Sequence, residues 1–175
     1  MGFREKAFAI VCIAALAACE PAAAPSAPTE APPTQAEAPA TDGSEIVGVA
    51  SVTDGDTIEI RGQAIRIHGV DAPERGKRCG DVNVYQQASL ALADIIGTQT
   101  VSCAPNGRDG DRIVATCSVG GVDVAETTTE QGWTRDWPRY SSRAYADEEA
   151  EARGARRGIW GLECGPDTWD GRNYD

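Results

Sequence analysis

The chain has 175 residues, enough for one globular domain with a short extra segment and too few for two large cores. Asp and Glu number 27 against 16 Lys and Arg, a formal net charge of -11, which taken by itself argues against a partner held on a broad electrostatic surface, such as a nucleic acid. Charged residues at 25% and hydrophobic residues at 41% exclude both a wholly disordered chain and a multi-pass membrane protein, while 19 Gly with few Phe and Tyr point to a turn-rich all-β or small α+β domain.

Composition divides the chain into three parts. Residues 1–18 carry Arg4 and Lys6 ahead of an apolar run over residues 7–18 that is too short to span a bilayer, the layout of a signal peptide. Leu16, Ala17, Ala18 and Cys19 then resemble the lipobox of bacterial lipoproteins, which implies a lipid-modified Cys19 and an extracytoplasmic chain anchored to a membrane. Residues 19–44 are mostly Ala and Pro, hold six of the ten prolines and have no large apolar side chain, so they are expected to form a disordered tether. The folded domain is expected over residues 45–175. It stays acidic once the leader charges and the tether acids Glu20, Glu30, Glu37 and Asp42 are set aside.

Within the domain, residues 46–52 form a β-prone run ended by Asp54 and Gly55, a turn dipeptide. Residues 57–60 and 64–70 alternate apolar and polar around a turn at Gly62, which predicts three meandering strands. Residues 84–96 place Leu90, Leu92, Ala93 and Ile96 on an apolar face and stop at Gly97, the pattern of a helix with a glycine after its end. Short strands are expected at 101–103 and 113–117 around a polar Gly/Asp-rich loop. Helices follow at 122–131 and at 142–157, the last offering Ala146, Ala150 and Gly154 as a narrow packing face. Five strands, a helix after the third and helices at the end are the order of a small β-barrel α+β fold.

Asp54, Gly55, Asp56 and Thr57 alone are weak evidence, since Asp-Gly turns are common and most are solvated hairpins. An EF-hand is excluded because Ile58 and Glu59 stand where that loop needs an oxygen ligand and Gly. The next segment is more informative. Arg66 sits in a mostly apolar strand and demands an anionic partner, and Asp71 and Glu74 flank Pro73 as that strand ends. Together with Arg112, the Gly132 and Trp133 pair, and the run of Arg157, Gly158, Ile159 and Trp160, these motifs make residues 46–160 resemble the staphylococcal-nuclease-like (thermonuclease) family.

The resemblance implies a five-stranded OB-type β-barrel with three helices and a Ca²⁺-dependent phosphodiesterase that hydrolyses DNA or RNA, breaking the 5′ P–O bond and leaving 3′-phosphate ends. Asp56 and Asp71 match the metal-binding carboxylates and Ala72 the carbonyl ligand, where the family commonly has Thr. Asp54 would shape the turn and add negative potential behind them. Glu74 matches the residue that orients or deprotonates the attacking water. Arg66 and Arg112 match the two arginines on the scissile phosphate, where guanidinium forks stabilise the charge that builds up as water attacks. The family loop before the second arginine usually carries Tyr, whereas here Asp111 precedes Arg112, which leaves Arg108 as an alternative phosphate ligand. Trp137 and Tyr140 are the nearest aromatics that could stack on a base. Arg75, Lys77 and Arg78 form a tight basic cluster that could steer the nucleic-acid backbone, or simply be a solvated loop. His68 has no role in the pattern, and Trp133 and Trp160 are expected to anchor the second and third helices to the barrel.

Four cysteines remain in the domain. Export favours disulfides, no CxxC spacing suggests zinc, and Cys103 and Cys117 lie on strands expected to be adjacent, so the pairings expected are Cys103 with Cys117 and Cys79 with Cys164. The reading is a monomeric, lipid-anchored, Ca²⁺-dependent nuclease acting on single-stranded or frayed DNA or RNA, with binding confined to the metal and a few arginines. The alternatives are a non-catalytic nucleic-acid or partner-binding module on the same barrel and, more weakly, a structural envelope lipoprotein.

Overall fold

Strict alternation of apolar and polar side chains turns one face of a strand inward and leaves the other in solvent, and this pattern builds the first half of the molecule. The computed structural model describes residues 43–172. The expected leader, Cys19 and nearly all of the expected tether lie outside the described residues. β1 (Ile46–Asp54), β2 (Thr57–Ile60) and β3 (Gln63–Ile67) form an antiparallel meander. After the short β4 (Val70–Asp71) and the helix α1 (Val84–Ile96), β5 (Thr100–Asp109) pairs with β1, and β6 (Arg112–Val119) pairs with β5. β3 and β6 then pair in parallel, Ile65 opposite Ile113 and Ile67 opposite Ala115, which closes a five-stranded barrel. The α+β barrel read from the sequence is the fold observed.

The barrel interior is filled by Ile58, Ile60, Ile65, Ile67, Val101 and Ala115, capped by Leu92 and Ile96 from α1. Each such aliphatic side chain contributes roughly 1.5–3 kcal/mol by leaving water. Cys103 and Cys117 face each other across β5 and β6 inside this core and are joined as a disulfide. With a sequence separation of 14, that bridge stabilises the fold by about 3 kcal/mol in the chain-entropy account. Cys79 and Cys164 form the second disulfide.

Several expected elements differ. The strands flanking the Gly/Asp-rich segment run through most of it, because residues 104–109 stay paired with residues 112–116. The third strand stops at Ile67 rather than at Val70. Gly69, at φ +81, turns the chain off the barrel so that β4 can pair elsewhere. In α1 the inward stripe is Val84, Ala88, Leu92 and Ile96, at four-residue spacing. Leu90, expected on that face, is 50% exposed because two residues turn a helix by about 200° from Leu92.

The helix expected at 122–131 begins as β7 (Val122–Asp123), paired with the end of β6, and becomes α2 (Val124–Glu130) only where the Asp123 carboxylate accepts from the N–H groups of Ala125 and Glu126. The helix expected at 142–157 is two pieces, α3 (Pro138–Ser141) and α4 (Ala146–Gly154), separated by positive φ at Ser142 and Arg143. The narrow face of Ala146, Ala150 and Gly154 does not pack: Ala150 and Gly154 are exposed, and α4 turns Glu149 and Ala152 inward. Trp133 and Trp160 also depart from expectation. They belong to a second cluster with Ile159, Ala152, Val84, Cys79 and Trp169, apart from the barrel core. Short 3₁₀ turns at Gly158–Gly161 and Pro166–Trp169 supply its C-terminal half.

Gly55 shows how tightly the β1–β2 turn is seated. A Cβ there would stand 2.8 Å from the Cβ atoms of both Ala72 and Ala88. Gly55→Ala should therefore overpack the turn against α1 and lower the free energy of unfolding by about 1–3 kcal/mol. Urea unfolding followed by Trp fluorescence measures this directly, and an unchanged midpoint would contradict it.

Candidate active site

Three local structures bring charge to one point. The β1–β2 turn presents Asp56, β4 presents Asp71, and β3, which alternates Ile65 inward, Arg66 outward and Ile67 inward, presents Arg66 between them. Asp56 is 5% exposed and Asp71 is fully buried. The guanidinium of Arg66 bridges both, with Nη1 2.9 Å from Asp56 Oδ2 and Nη2 3.2 Å from Asp71 Oδ1. Asp56 also accepts from the Ala72 N–H at Oδ2 and from the Thr57 hydroxyl at Oδ1, each at 3.1 Å. The Asp56 main-chain carbonyl accepts from Ile67 N at 2.8 Å, so the turn is locked to β3 at both backbone and side chain. Asp54 lies behind this point and accepts weakly from the Asp56 N–H at 3.4 Å.

Burial dominates the electrostatics. It pushes the Asp56 carboxyl up to about 7, with Arg66 opposing the shift and the neighbouring Asp54 and Asp71 adding to it. Burial works against the charge of Arg66 as well, but Asp56 and Asp71 outweigh it and hold the guanidinium further into its protonated range. Asp56 and Asp71 share the Arg66 guanidinium, and Asp71 has Arg172 as a second cation.

Asp54, Asp56 and Arg66 form the floor of a cleft of about 650 Å³, while Asp71 is fully buried beside Arg66. Its rim carries Glu74 and Arg75 on one side and Arg108, Asp109 and Arg112 of the β5–β6 hairpin on the other. The register of β3 with β6 sets Arg66 beside Val114, and Arg112 lies two residues from Val114 on the same outward face. Arg108 is paired with Ile113 and reaches the cleft from the hairpin tip, so both arginines border it. Arg112 is ion-paired with the exposed Asp109. Trp137 and Tyr140 form one wall as an edge-to-face pair with centroids 4.9 Å apart, and the Arg66 guanidinium lies 5.7 Å from the Trp137 ring. The basic cluster after Glu74 is not delivered as a unit. Arg75 borders the cleft and stacks at 5.6 Å on Tyr85, but Arg78 is turned away to donate to the Asp81 carbonyl, and Lys77 does not line the cleft. His68 borders the cleft without a partner among the described polar contacts of its side chain.

Two cleft residues escaped the sequence reading. Tyr85, in the first turn of α1, faces the cleft and places its hydroxyl 3.5 Å from the Thr53 carbonyl. Its position at a helix start immediately after the basic loop was a usable signal. Arg172 comes from the end of the described chain and pairs with Asp71 and Glu74, a contact across 98 residues that no local pattern announces.

A family model, the staphylococcal nuclease homologue family, matches residues 64–161, more than half of the chain. The chain belongs to this family of nuclease-type domains. Among curated proteins it is 35% identical over 123 residues to the succinoglycan biosynthesis protein ExoI of Rhizobium meliloti, covering 66% of this chain and 64% of that one. It is 31% identical over 120 residues to a probable staphylococcal-like nuclease, CAN4, of Oryza sativa subsp. japonica, covering 67% of this chain and 23% of the relative. It is 32% identical over 126 residues to a probable endonuclease, LCL3, of Schizophyllum commune, covering 59% and 43% respectively. The match thus spans less than two thirds of each of these relatives.

Removing Arg66 should leave the buried Asp56 carboxylate without its cation, while Asp71 keeps Arg172. Arg66→Ala is expected to destabilise the metal-free protein by about 3 kcal/mol, whereas Arg112→Ala, whose partner is exposed, should cost under about 1 kcal/mol. Paired chemical-denaturation curves test the contrast, and equal losses would contradict the central role of Arg66.

Proposed function

We propose that the domain is a Ca²⁺-dependent phosphodiesterase that hydrolyses DNA or RNA. The observation that carries this reading is the convergence of buried Asp56 and Asp71 on Arg66 at the floor of a cleft walled by aromatics, in a chain of the nuclease family. Among the described residues no three His, Cys, Asp or Glu side chains cluster into a ready-made metal cage. The donors nevertheless fit a hard dication: they are carboxylate oxygens and they are buried, and burial raises the Asp56 carboxyl. Asp56, Asp71 and the Ala72 carbonyl would hold the ion, which when bound supplies positive charge to the phosphate.

The chain's own residues account for the rest. Arg66, with Arg112 from the facing hairpin, donates hydrogen bonds to the non-bridging oxygens and favours the more highly charged pentacoordinate state. Glu74, on the rim, accepts a proton from water as the new O–P bond forms and the P–O5′ bond breaks. The 5′-oxygen leaves with a proton from solvent, and the phosphate stays on the 3′ side. Trp137 and Tyr140 offer flat faces to an unstacked base, which suits a single-stranded or frayed substrate. A purely binding module on this barrel would have no use for buried acids beside its arginine.

A fluorogenic oligonucleotide assay tests the proposal. Cleavage should require Ca²⁺ and stop with EDTA, and Glu74→Gln and Arg66→Ala should each lower kcat by roughly 10²–10³-fold. Turnover indifferent to chelation and to both substitutions would remove this mechanism, while binding without turnover would favour the module reading.

The lipobox reading extends the proposal to place: lipid on Cys19 would hold the nuclease at a bacterial membrane on its extracytoplasmic side, with residues 19–44 as a tether. Metabolic labelling with a fatty-acid analogue should mark the wild-type protein and not Cys19→Ser, and an unlabelled wild type would argue against the anchor.

A further inference from the structure

We propose that Arg172 is a third phosphate-binding residue of the cleft, delivered by a disulfide-stapled C-terminal tail; the inference rests on the nuclease reading above. Arg172 and Arg66 make the same kind of contact to the same atom. Nη1 of Arg172 is 3.3 Å from Asp71 Oδ1, and Nη2 of Arg66 is 3.2 Å from it. The second arm of Arg172 pairs with Glu74, the carboxylate assigned to water. One guanidinium therefore spans the buried acid and the rim acid, and its side chain is 24% exposed, open to the cleft it lines.

The tail that brings Arg172 here is built in place. Cys164 is bonded to Cys79, five residues after Glu74, and its N–H donates to the Cys79 sulfur at 3.3 Å. The 3₁₀ turn then buries Trp169, 3% exposed, in a stack on Trp160 with centroids 4.8 Å apart. Arg172 follows three residues later, its N–H bonded to the Trp169 carbonyl at 3.3 Å.

In a domain this acidic, the cleft is lined by Asp54, Asp56, Glu74 and Asp109, with Asp71 fully buried beside Arg66, and an anionic backbone needs the cations near them. Arg172 already stands at the two acids nearest the assigned chemistry. An arginine resting on a carboxylate turns to a phosphate with little change in donor geometry, because both ligands accept the same planar fork.

The test measures binding apart from cleavage. A fluorescein-labelled, phosphorothioate-linked oligothymidine is titrated with full-length protein in EDTA across a range of salt concentrations. Arg172→Ala should bind about tenfold more weakly, and the slope of log affinity against log salt should flatten by about 0.7, one single-strand phosphate contact. Arg172→Lys should keep the wild-type slope, because it keeps the charge, while losing part of the affinity. With Ca²⁺ and a cleavable oligonucleotide, Arg172→Ala should raise KM more than it lowers kcat, a split that a loss of stability alone would not produce. Cys79→Ser with Cys164→Ser should show the same loss of affinity, and adding Arg172→Ala to that pair should cost nothing further.

Wild-type affinity and slope in Arg172→Ala overturn the proposal, as does tighter binding or faster cleavage, the signature of a tail that plugs the site. A wild-type protein that binds but never cuts overturns the nuclease reading, while loss of that binding in Arg172→Ala still supports the inference. A wild type that cuts, with Arg172→Ala indistinguishable from it, overturns the inference alone.

Discussion

Two carboxylates taken out of water beside one another are unstable without a cation between them, and Arg66 is that cation. Nearly everything around the cleft follows from the need to keep Asp56, Asp71 and Arg66 together. The ions come from three separate elements, so the β1–β2 turn, β3 and β4 must meet within a few ångströms. The close seat of Gly55 against Ala72 and Ala88 and the left-handed turn at Gly69 are the backbone features that permit it. The same burial that makes the trio costly makes it useful, because fixed charges in a low-dielectric pocket act strongly on a ligand that adds charge there. The raised Asp56 carboxyl is the direct trace of that cost.

The helical layer serves the far wall of the cleft. β4 pairs with β8 (Arg135–Asp136), setting Asp71 opposite Arg135, and Trp137 donates its N–H to the Gly69 carbonyl at 2.8 Å. β8 is held from behind: Glu149 accepts from the Asp136 N–H at 2.9 Å, and the Asp136 carboxylate accepts from Tyr145 N. The hydroxyls of Thr128, Thr129 and Thr134 link α2 to the segment leading into β8 through buried hydrogen bonds of 2.9–3.0 Å. These polar contacts inside apolar surroundings are satisfied, so they give the aromatic wall one position instead of several. Inward Glu149, which no apolar stripe predicted, is explained by this task.

The barrel was legible because its information is local: period-two alternation names the inward residues of β2, β3 and β6 without knowledge of what they touch. The two disulfides were legible for a related reason, since consecutive strands put Cys103 opposite Cys117 and left Cys79 and Cys164 as the remaining pair. Errors gathered where the chain leaves the barrel. The segment over residues 138–157 has the composition of one helix, yet two left-handed residues divide it, and its packing face is chosen by Tyr145, Glu149 and Ala152. Trp133 and Trp160 pack away from the barrel, where Trp169 of the tail helps to build a core of its own. Lys77 and Arg78 read as part of one basic patch, but a turn of a few residues sends neighbours in different directions.

By itself the sequence determined the α+β barrel and the cysteine pairing, because strand periodicity is written in adjacent residues, and it carried the resemblance that singled out Asp56, Arg66, Asp71, Glu74 and Arg112. It also carried the acidic balance of the chain. Only the tertiary structure decided that Asp56 and Asp71 share one guanidinium, that Trp137 walls the cleft, and that Arg172 reaches Asp71 and Glu74 from the far end of the domain. The physical reason is range. Periodicity and turn chemistry act over a few residues, whereas the balance of buried charge is struck between groups that become neighbours only when the chain has closed on itself.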